Sequence, residues 1–250
     1  MDISIIRRHI NCVVILRNEL NSWDGKQMNT RFFSPFIGSR YRNGVCGKRI
    51  LVLGASFYCN HTPDSNKPCP FFEECTDPMK KDSSKFDNIC PYYKESGLRL
   101  SDEPSNAIAE NYRAYQNFAK FIQQFVEDKD EDVWQRMAFT DYLQFFSPTV
   151  ITKKEYLSQR DFDAFCETLR ELQPDIVAAW GMAIIEEIRE HNPYVTDLEK
   201  LSETEWYVCH MKVPGVSHEI ALVCCYHPSS VLYWYNDLDK LSKYFKATLP

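Results

Sequence analysis

Apolar residues in the first twenty positions recur at Ile6, Ile10, Val13, Val14 and Leu20, close to helical spacing, and predict a helix over residues 3–20. A loop rich in Gly, Pro, Arg and aromatic residues follows from Ser22 to Gly47. Arg49 to Gly54 is a short, continuous apolar run ending in glycine, which predicts a buried parallel strand. Residues 56–97 lose all periodicity and hold five prolines and four cysteines, so this insertion reads as a functional or stapled loop. Pro104 to Glu127 predicts one long helix, with Ile108, Tyr112, Tyr115, Ala119, Ile122 and Val126 on one side. Strands are predicted over Val133–Thr140, Asp175–Gly181, Trp206–Met211 and Ile220–Tyr226, the last two separated by Pro214-Gly215. Helices are predicted over Phe162–Leu172, stopped before Pro174, over Met182–His191 and over Asn236–Ala247.

Strands alternating with helices predict an α/β fold on a mostly parallel sheet. A length of 250 residues fits one large domain spanning 1–250, and 44% hydrophobic residues suffice for its core. No apolar run approaches the roughly 20 residues of a membrane span, and the mixed start Met1-Asp2-Ile3-Ser4 is not a signal peptide. A cytoplasmic protein without membrane association is therefore expected. The net charge of −6 weighs mildly against DNA as a partner, since phosphate is bound by Lys and Arg. Acid residues concentrate at 127–132 and at Glu186, Glu187 and Glu190, whereas Arg31, Arg40, Arg42, Lys48 and Arg49 gather before the first strong strand. A local basic face is compatible with a negative total.

In open parallel sheets, ligands bind beyond the carboxyl ends of the strands. Four such ends carry chemistry here: Gly54-Ala55-Ser56-Phe57-Tyr58, Phe139-Thr140-Asp141-Tyr142, Trp180-Gly181-Met182 and Tyr226-His227-Pro228-Ser229-Ser230. The last sets an imidazole at the mouth of the sheet, where Pro fixes a turn and Ser229, Ser230 or backbone N–H groups can hold an anion. By itself this segment also reads as a capping histidine on an ordinary turn.

Taken in order, these ends resemble the uracil-DNA glycosylase superfamily. Leu51 to Tyr58 is similar to its first motif, Phe139-Thr140-Asp141 to its base-reading motif and His227-Pro228-Ser229 to its last. The Trp180-Gly181-Met182-Ala183 turn and the Pro35–Tyr41 segment add to the likeness, which spans roughly residues 33 to 235. The resemblance implies a three-layer α/β/α domain and base-excision chemistry of DNA repair. A base is flipped from single- or double-stranded DNA at a cost of about a few kcal/mol, and its N-glycosidic bond is hydrolysed. It implies that the first-motif residue at Ser56 positions water or steadies the sugar cation, while His227 stabilises charge growing on the departing base. No cofactor is needed for that chemistry.

Two departures qualify it. Ser56 stands where active branches carry Asp or Asn, and Phe57 where they carry Pro; a hydroxyl brings no negative charge to a cation. Asp64, Glu73 and Asp77 follow in the loop as substitute carboxylates. Asp141 stands where an Asn amide would both donate and accept; an ionised carboxylate only accepts, which disfavours a uracil carbonyl and favours an N–H-rich edge. Asp141 also reads as a cap of the next segment. Gly54 and Ala55 would line the base pocket, and Phe57, Tyr58, Phe71 and Phe72 are stacking candidates, although most aromatics are core. Val231 to Tyr235 reads equally as a wedge for the vacated stack or as the start of the last helix.

Of ten cysteines, Cys12, Cys166, Cys209, Cys224 and Cys225 fall in helix or strand patterns and read as core, and Cys46 fits no pattern. Cys59, Cys69, Cys75 and Cys90 share the irregular loop, at spacings that suit a structural metal and do not match zinc-ribbon pairs. Zinc and an iron–sulfur cluster both fit, with His61 as a replacement ligand; free or partly paired thiols are the alternative. Three functions follow: a DNA glycosylase, a catalytically degenerate member that binds nucleic acid, nucleobase or protein, and an enzyme on a small nucleoside-like substrate.

Overall fold

The computed structural model describes residues 31–59, 64, 66, 68–77, 103–149, 154–190, 195–200 and 207–249. The helix expected over 3–20, with Cys12, lies outside these residues, as do His61 and Cys90.

Seven strands form one sheet: β1 (Phe36–Ile37), β2 (Ile50–Gly54), β3 (Met137–Asp141), β4 (Ile176–Trp180), β5 (Val195–Lys200), β6 (Tyr207–Met211) and β7 (Ile220–Cys225). Their spatial order is β1-β3-β2-β4-β7-β6-β5. The central four, β3-β2-β4-β7, are parallel, and every residue of them is buried. β1, β6 and β5 add antiparallel flanks. The parallel expectation thus holds for the centre and not for the edges. The eight residues 212–219 between β6 and β7 are too few for a crossover, which needs a dozen or more, so the chain makes a hairpin there. Gly215 supplies its positive φ of 87°.

Helices α1 (Phe72–Thr76), α2 (Glu103–Ala109), α3 (Arg113–Ile122), α4 (Gln159–Leu172), α5 (Met182–Glu190) and α6 (Val231–Thr248), with short 3₁₀ turns at Gln123–Phe125, Val133–Arg136 and Lys154–Tyr156, complete the described elements. Strand alternation sends Ile50 and Val52 to one face and Leu51 and Leu53 to the other. Phe118 and Phe121 of α3 and Leu241 and Phe245 of α6 cover the first face. Phe165 and Leu169 of α4 and Ile184 and Ile188 of α5 cover the second. The result is an α/β/α layering.

Among the boundaries that differ from the sequence pattern, α4 begins three residues early at Gln159, and three others shift further. The long helix expected over 104–127 is broken into α2 and α3 at Glu110–Tyr112, because Asn111 adopts a left-handed φ of 60°. Asn tolerates that region better than most residues, and Gln116 Nε2 donates to its side-chain oxygen at 3.1 Å. The strand expected from Val133 begins at Met137, since Asp132 accepts the Trp134 N–H and starts a 3₁₀ turn over Val133–Arg136. The last helix begins at Val231, five residues early, so residues 231–235 form its first turns.

β2 leads to β3 on one side, and the chain then crosses β2 to place β4 on the other. The strand order therefore reverses at the carboxyl ends of β2 and β4, the crevice where open α/β sheets take ligands.

Candidate active site

The register pairs Gly54 with Asp141, Leu53 with Ala179 and Trp180 with Cys225, so the four parallel strands end level. Alternation puts Asp141, Gly54, Trp180 and Cys225 on the face covered by α3 and α6. His227, two residues beyond Cys225, joins them: its ring meets Trp180 edge to face, with centroids 5.7 Å apart. Three strand spacings, about 14 Å between backbones, separate β3 from β7.

Glycine at position 54 shapes one wall. A Cβ there would overlap Asp141 Oδ1 and press on Phe139 Cζ at 3.0 Å. The missing side chain is therefore what lets the Asp141 carboxylate, only 5% exposed, lean over the end of β2. The backbone around it is pinned. Tyr142 N–H donates to Gly54 O at 2.9 Å, Leu143 N–H to Ala55 O at 3.0 Å, and Gln144 Nε2 to Asp141 O at 2.8 Å. Gln144 N–H donates in turn to Asp161, which completes the capping box of α4 with Ser158.

His227 forms the other wall. Ser230 N–H donates to His227 O at 2.8 Å, closing a turn with Pro228 second, where its fixed φ suits the bend. Ser229 N–H points to His227 Nδ1 at 3.3 Å, with Ser229 Oγ 2.7 Å from the same atom. With Nδ1 accepting, the neutral ring keeps its proton on Nε2. The ring reaches the surface, but enough protein surrounds it that desolvation lowers its pKa below the ordinary histidine value. The site thus presents a neutral N–H donor. Ser229 is engaged with the imidazole, and Ser230 stands at the N-cap of α6.

The segment after β2 is strapped to the one after β3: Ser147 N–H donates to Phe57 O at 2.6 Å and Cys59 N–H to Ser147 O at 2.9 Å. Phe57 is half-buried and turns toward Phe33 and Phe146, with ring centroids 5.1 and 6.5 Å away. Tyr58 turns outward and is 40% exposed. Ser56 is half-buried beside Gly54 and Ala55 at the switch point.

The basic segment lies elsewhere. β1 runs antiparallel to β3 and carries residues 38–49 to the amino end of the sheet, away from His227. There Arg40 pairs with Glu131 at 2.7 Å and Arg49 with Asp175 at 3.2 Å. Arg31 pairs with Glu167 at 3.2 Å on α4. Arg31, Arg40 and Arg49 thus brace the scaffold. Cys166, Cys209, Cys224 and Cys225 are buried as expected, and Cys46 is exposed with a positive φ of 48°. In the loop, Cys59 and Cys69 are half-buried, Cys75 lies on α1, and Phe71 and Phe72 are half-buried. Glu73 and Asp77 lie on α1 and at its C-cap. Among the described residues no group of three His, Cys, Asp or Glu could hold a metal.

Sequence reasoning missed Asn117. This α3 residue is 7% exposed and donates from Nδ2 to Pro228 O at 2.7 Å, fixing the His227 turn from a helix 111 residues away in sequence. Its one signal was an amide on the apolar stripe of Ala114, Phe118 and Phe121. No protein-family model matches this chain, and no curated protein matches it.

Proposed function

We propose that this chain is an N-glycosidase of the uracil-DNA glycosylase type, hydrolysing the bond between sugar and base of a flipped damaged or deaminated nucleotide. The observation that carries the reading is His227, a neutral imidazole with Nδ1 accepting and Nε2–H available, on the same face of the switch-point crevice as Asp141. In the reaction the C1′–N bond breaks, the base leaves as an anion, and Nε2–H of His227 donates to it. Water adds at C1′ and its proton passes to solvent or to the base. Ser56 Oγ orients that water, and Asp141 accepts from an N–H on the base edge. Cys59, Cys69, Cys75 and Cys90 would hold zinc or a four-iron cluster, four cysteines in one loop being a donor set that suits either. Such a centre would order the loop and take no part in bond cleavage. Metal analysis of aerobically and anaerobically purified protein tests it, and metal-free protein from both would refute it.

The second reading, a nucleobase or nucleic-acid binder without catalysis, is favoured by Ser56, which brings no charge to the sugar cation. One experiment separates the two. Single- and double-stranded oligonucleotides carrying uracil, hypoxanthine, xanthine or alkylated bases are incubated with the protein and cleaved with alkali, with His227→Ala as control. Strand breaks that disappear in the variant support the glycosidase; intact strands for every base support the binder.

A further inference from the structure

Asn117 is out of keeping with its surroundings. It lies in the middle of α3, on the stripe of Ala114, Phe118 and Phe121 that joins the core on this face of the sheet, and is 7% exposed. A leucine of similar size would bury more apolar surface there and favour the helix more. An amide in such a place costs stability unless it is hydrogen-bonded, and this one donates from Nδ2 to Pro228 O at 2.7 Å. Satisfying a buried carbonyl is one use of such a bond. The peptide it holds points to another.

Pro228 O and the Ser229 N–H belong to one peptide group, planar and trans, so they point in opposite directions. The N–H end meets His227 Nδ1 at 3.3 Å. One peptide is therefore held at its carbonyl by α3 and presents its N–H to the imidazole. The rest of the turn leaves its tilt open. Pro228 restricts its own φ but not the ψ that orients this peptide, and the Ser230 N–H to His227 O bond closes the turn without touching it. At 3.3 Å the Ser229 contact is near the limit of a hydrogen bond, so a small tilt breaks it. Ser229 Oγ, 2.7 Å from Nδ1, does not choose the tautomer alone, because a hydroxyl both donates and accepts. A backbone N–H only donates; it excludes a proton from Nδ1 and leaves the ring's proton on Nε2. We propose that Asn117 is a positioning residue: by clamping the Pro228–Ser229 peptide it sets the tautomer and the aim of His227. The inference rests on reading His227 as the donor to a departing base.

The test is the nitrogen NMR spectrum of the full chain carrying isotope-labelled histidine, with His227→Ala identifying the signal among the 6 histidines. Wild type should show His227 protonated at Nε2 and bare at Nδ1. Asn117→Leu, which removes the donor and nearly keeps the shape, should show both tautomers. Asn117→Ala is the second variant, since a leucine beside an unpaired carbonyl need not fold. Ser229→Ala, which removes the hydroxyl and keeps the backbone N–H, should retain the wild-type tautomer. Base release is measured in parallel on the oligonucleotides carrying uracil, hypoxanthine, xanthine or alkylated bases. There kcat of the Asn117 variants should fall about 10- to 100-fold, the range for losing a partner that orients a metal-bound histidine, with KM unchanged because the donor acts only as the base leaves. A merely structural amide would lower the melting temperature of these variants and leave the His227 tautomer and kcat as in wild type, and that result overturns the proposal. So does a wild-type ring protonated at Nδ1, a measurement that needs no variant to fold, or a tautomer that follows the Ser229 hydroxyl. Base release with a tautomer and kcat indifferent to Asn117 refutes the clamp and leaves the glycosidase standing. A tautomer that follows Asn117 in a protein that releases no base refutes the glycosidase and leaves the clamp standing.

Discussion

Gly54→Ala is the sharpest probe of the site, because one methyl group tests where a carboxylate lies. The added Cβ would overlap Asp141 Oδ1 and press on Phe139 Cζ at 3.0 Å. Neither neighbour can yield freely. Phe139 is 1% exposed within the aromatic cluster with Tyr115, Trp134 and Trp180. The Asp141 backbone is held through Gln144 and the adjacent Tyr142–Gly54 hydrogen bond. Overpacking of this kind costs about 1–3 kcal/mol. For a chain of this size that is a fall in Tm of about 2–12 °C, read by circular dichroism. If the clash is with the carboxylate, shortening its owner relieves it, so Gly54→Ala should cost little in an Asp141→Ala background. The non-additivity of the double-mutant cycle should be about 1–2 kcal/mol. Base release should fall in the single variant, since the carboxylate must swing from its place over β2. A Gly54→Ala protein melting within about 1 °C of wild type would refute the geometry. Additive effects in the cycle would refute the assignment to Asp141.

Other outcomes follow from the charged and titrating groups. Base release should be flat from pH 8 to below the ordinary histidine pKa of about 6.5, because desolvation lowers His227 and keeps the donating ring neutral; a rate that rises on protonation contradicts this in a pH–rate profile. Burial alone would raise the Asp175 carboxyl, but hydrogen bonds from the Arg49 side chain and backbone N–H, with the charges of Arg49 and His218, outweigh it and hold the pKa below the usual carboxylate value. That stability is present above the unfolded pKa of about 3.9 and is lost as pH falls through the folded value, so Asp175→Asn should flatten acid-unfolding curves below about pH 4. Burial pushes Cys166 up to about 12 and Cys209 up to about 11, and raises Cys224 and Cys225 further, so iodoacetamide at pH 8 should label exposed Cys46 and spare these four until the protein unfolds, as read by peptide mass spectrometry. Asp141→Asn should improve binding of uracil-containing strands, an amide being able to donate to a base carbonyl; weaker binding refutes the base-edge role.

The centre of the fold was legible because parallel strands covered on both faces are continuous apolar runs, and β2, β4 and β7 are such runs ending in or beside Gly54, Gly181 and His227. Edges were not. β5 reads Val-Thr-Asp-Leu-Glu-Lys, with a bulge between Thr196 and Leu198 that spoils its alternation. The break before α3 rests on one left-handed Asn inside an otherwise helical pattern. In the site, His227 and Asp141 were legible as residues at strand ends, but their surroundings were not. The strap that turns Phe57 in and Tyr58 out is made by Ser147, about ninety residues away, and nothing in the local sequence pairs Arg40 with Glu131 or Arg49 with Asp175. Local pattern fixes which way a strand faces only once one anchor is known, and these anchors are long-range.

The site's charge also differs from what its motifs suggest separately. On the proposed glycosidase reading, Ser56 lacks the carboxylate of the first motif it resembles, and Asp141 supplies one at the second. Since Asp141 leans over Gly54, negative charge is displaced by no more than about one strand spacing, ~4.8 Å. At an effective dielectric of about 20, a carboxylate 4 Å from a sugar cation contributes roughly 4 kcal/mol and one about 9 Å away roughly 2 kcal/mol. A displaced carboxylate therefore keeps about half of the electrostatic help that a first-motif carboxylate would give. The neutral donor at His227 complements this arrangement. A cationic imidazole in the same crevice would be attracted to Asp141, and part of its effect on the leaving base would be cancelled. An uncharged N–H leaves the carboxylate's field to act on the sugar while still meeting the anion that departs. On the proposed reading, this distribution of charge favours chemistry that is slower than with a first-motif carboxylate, yet not abolished.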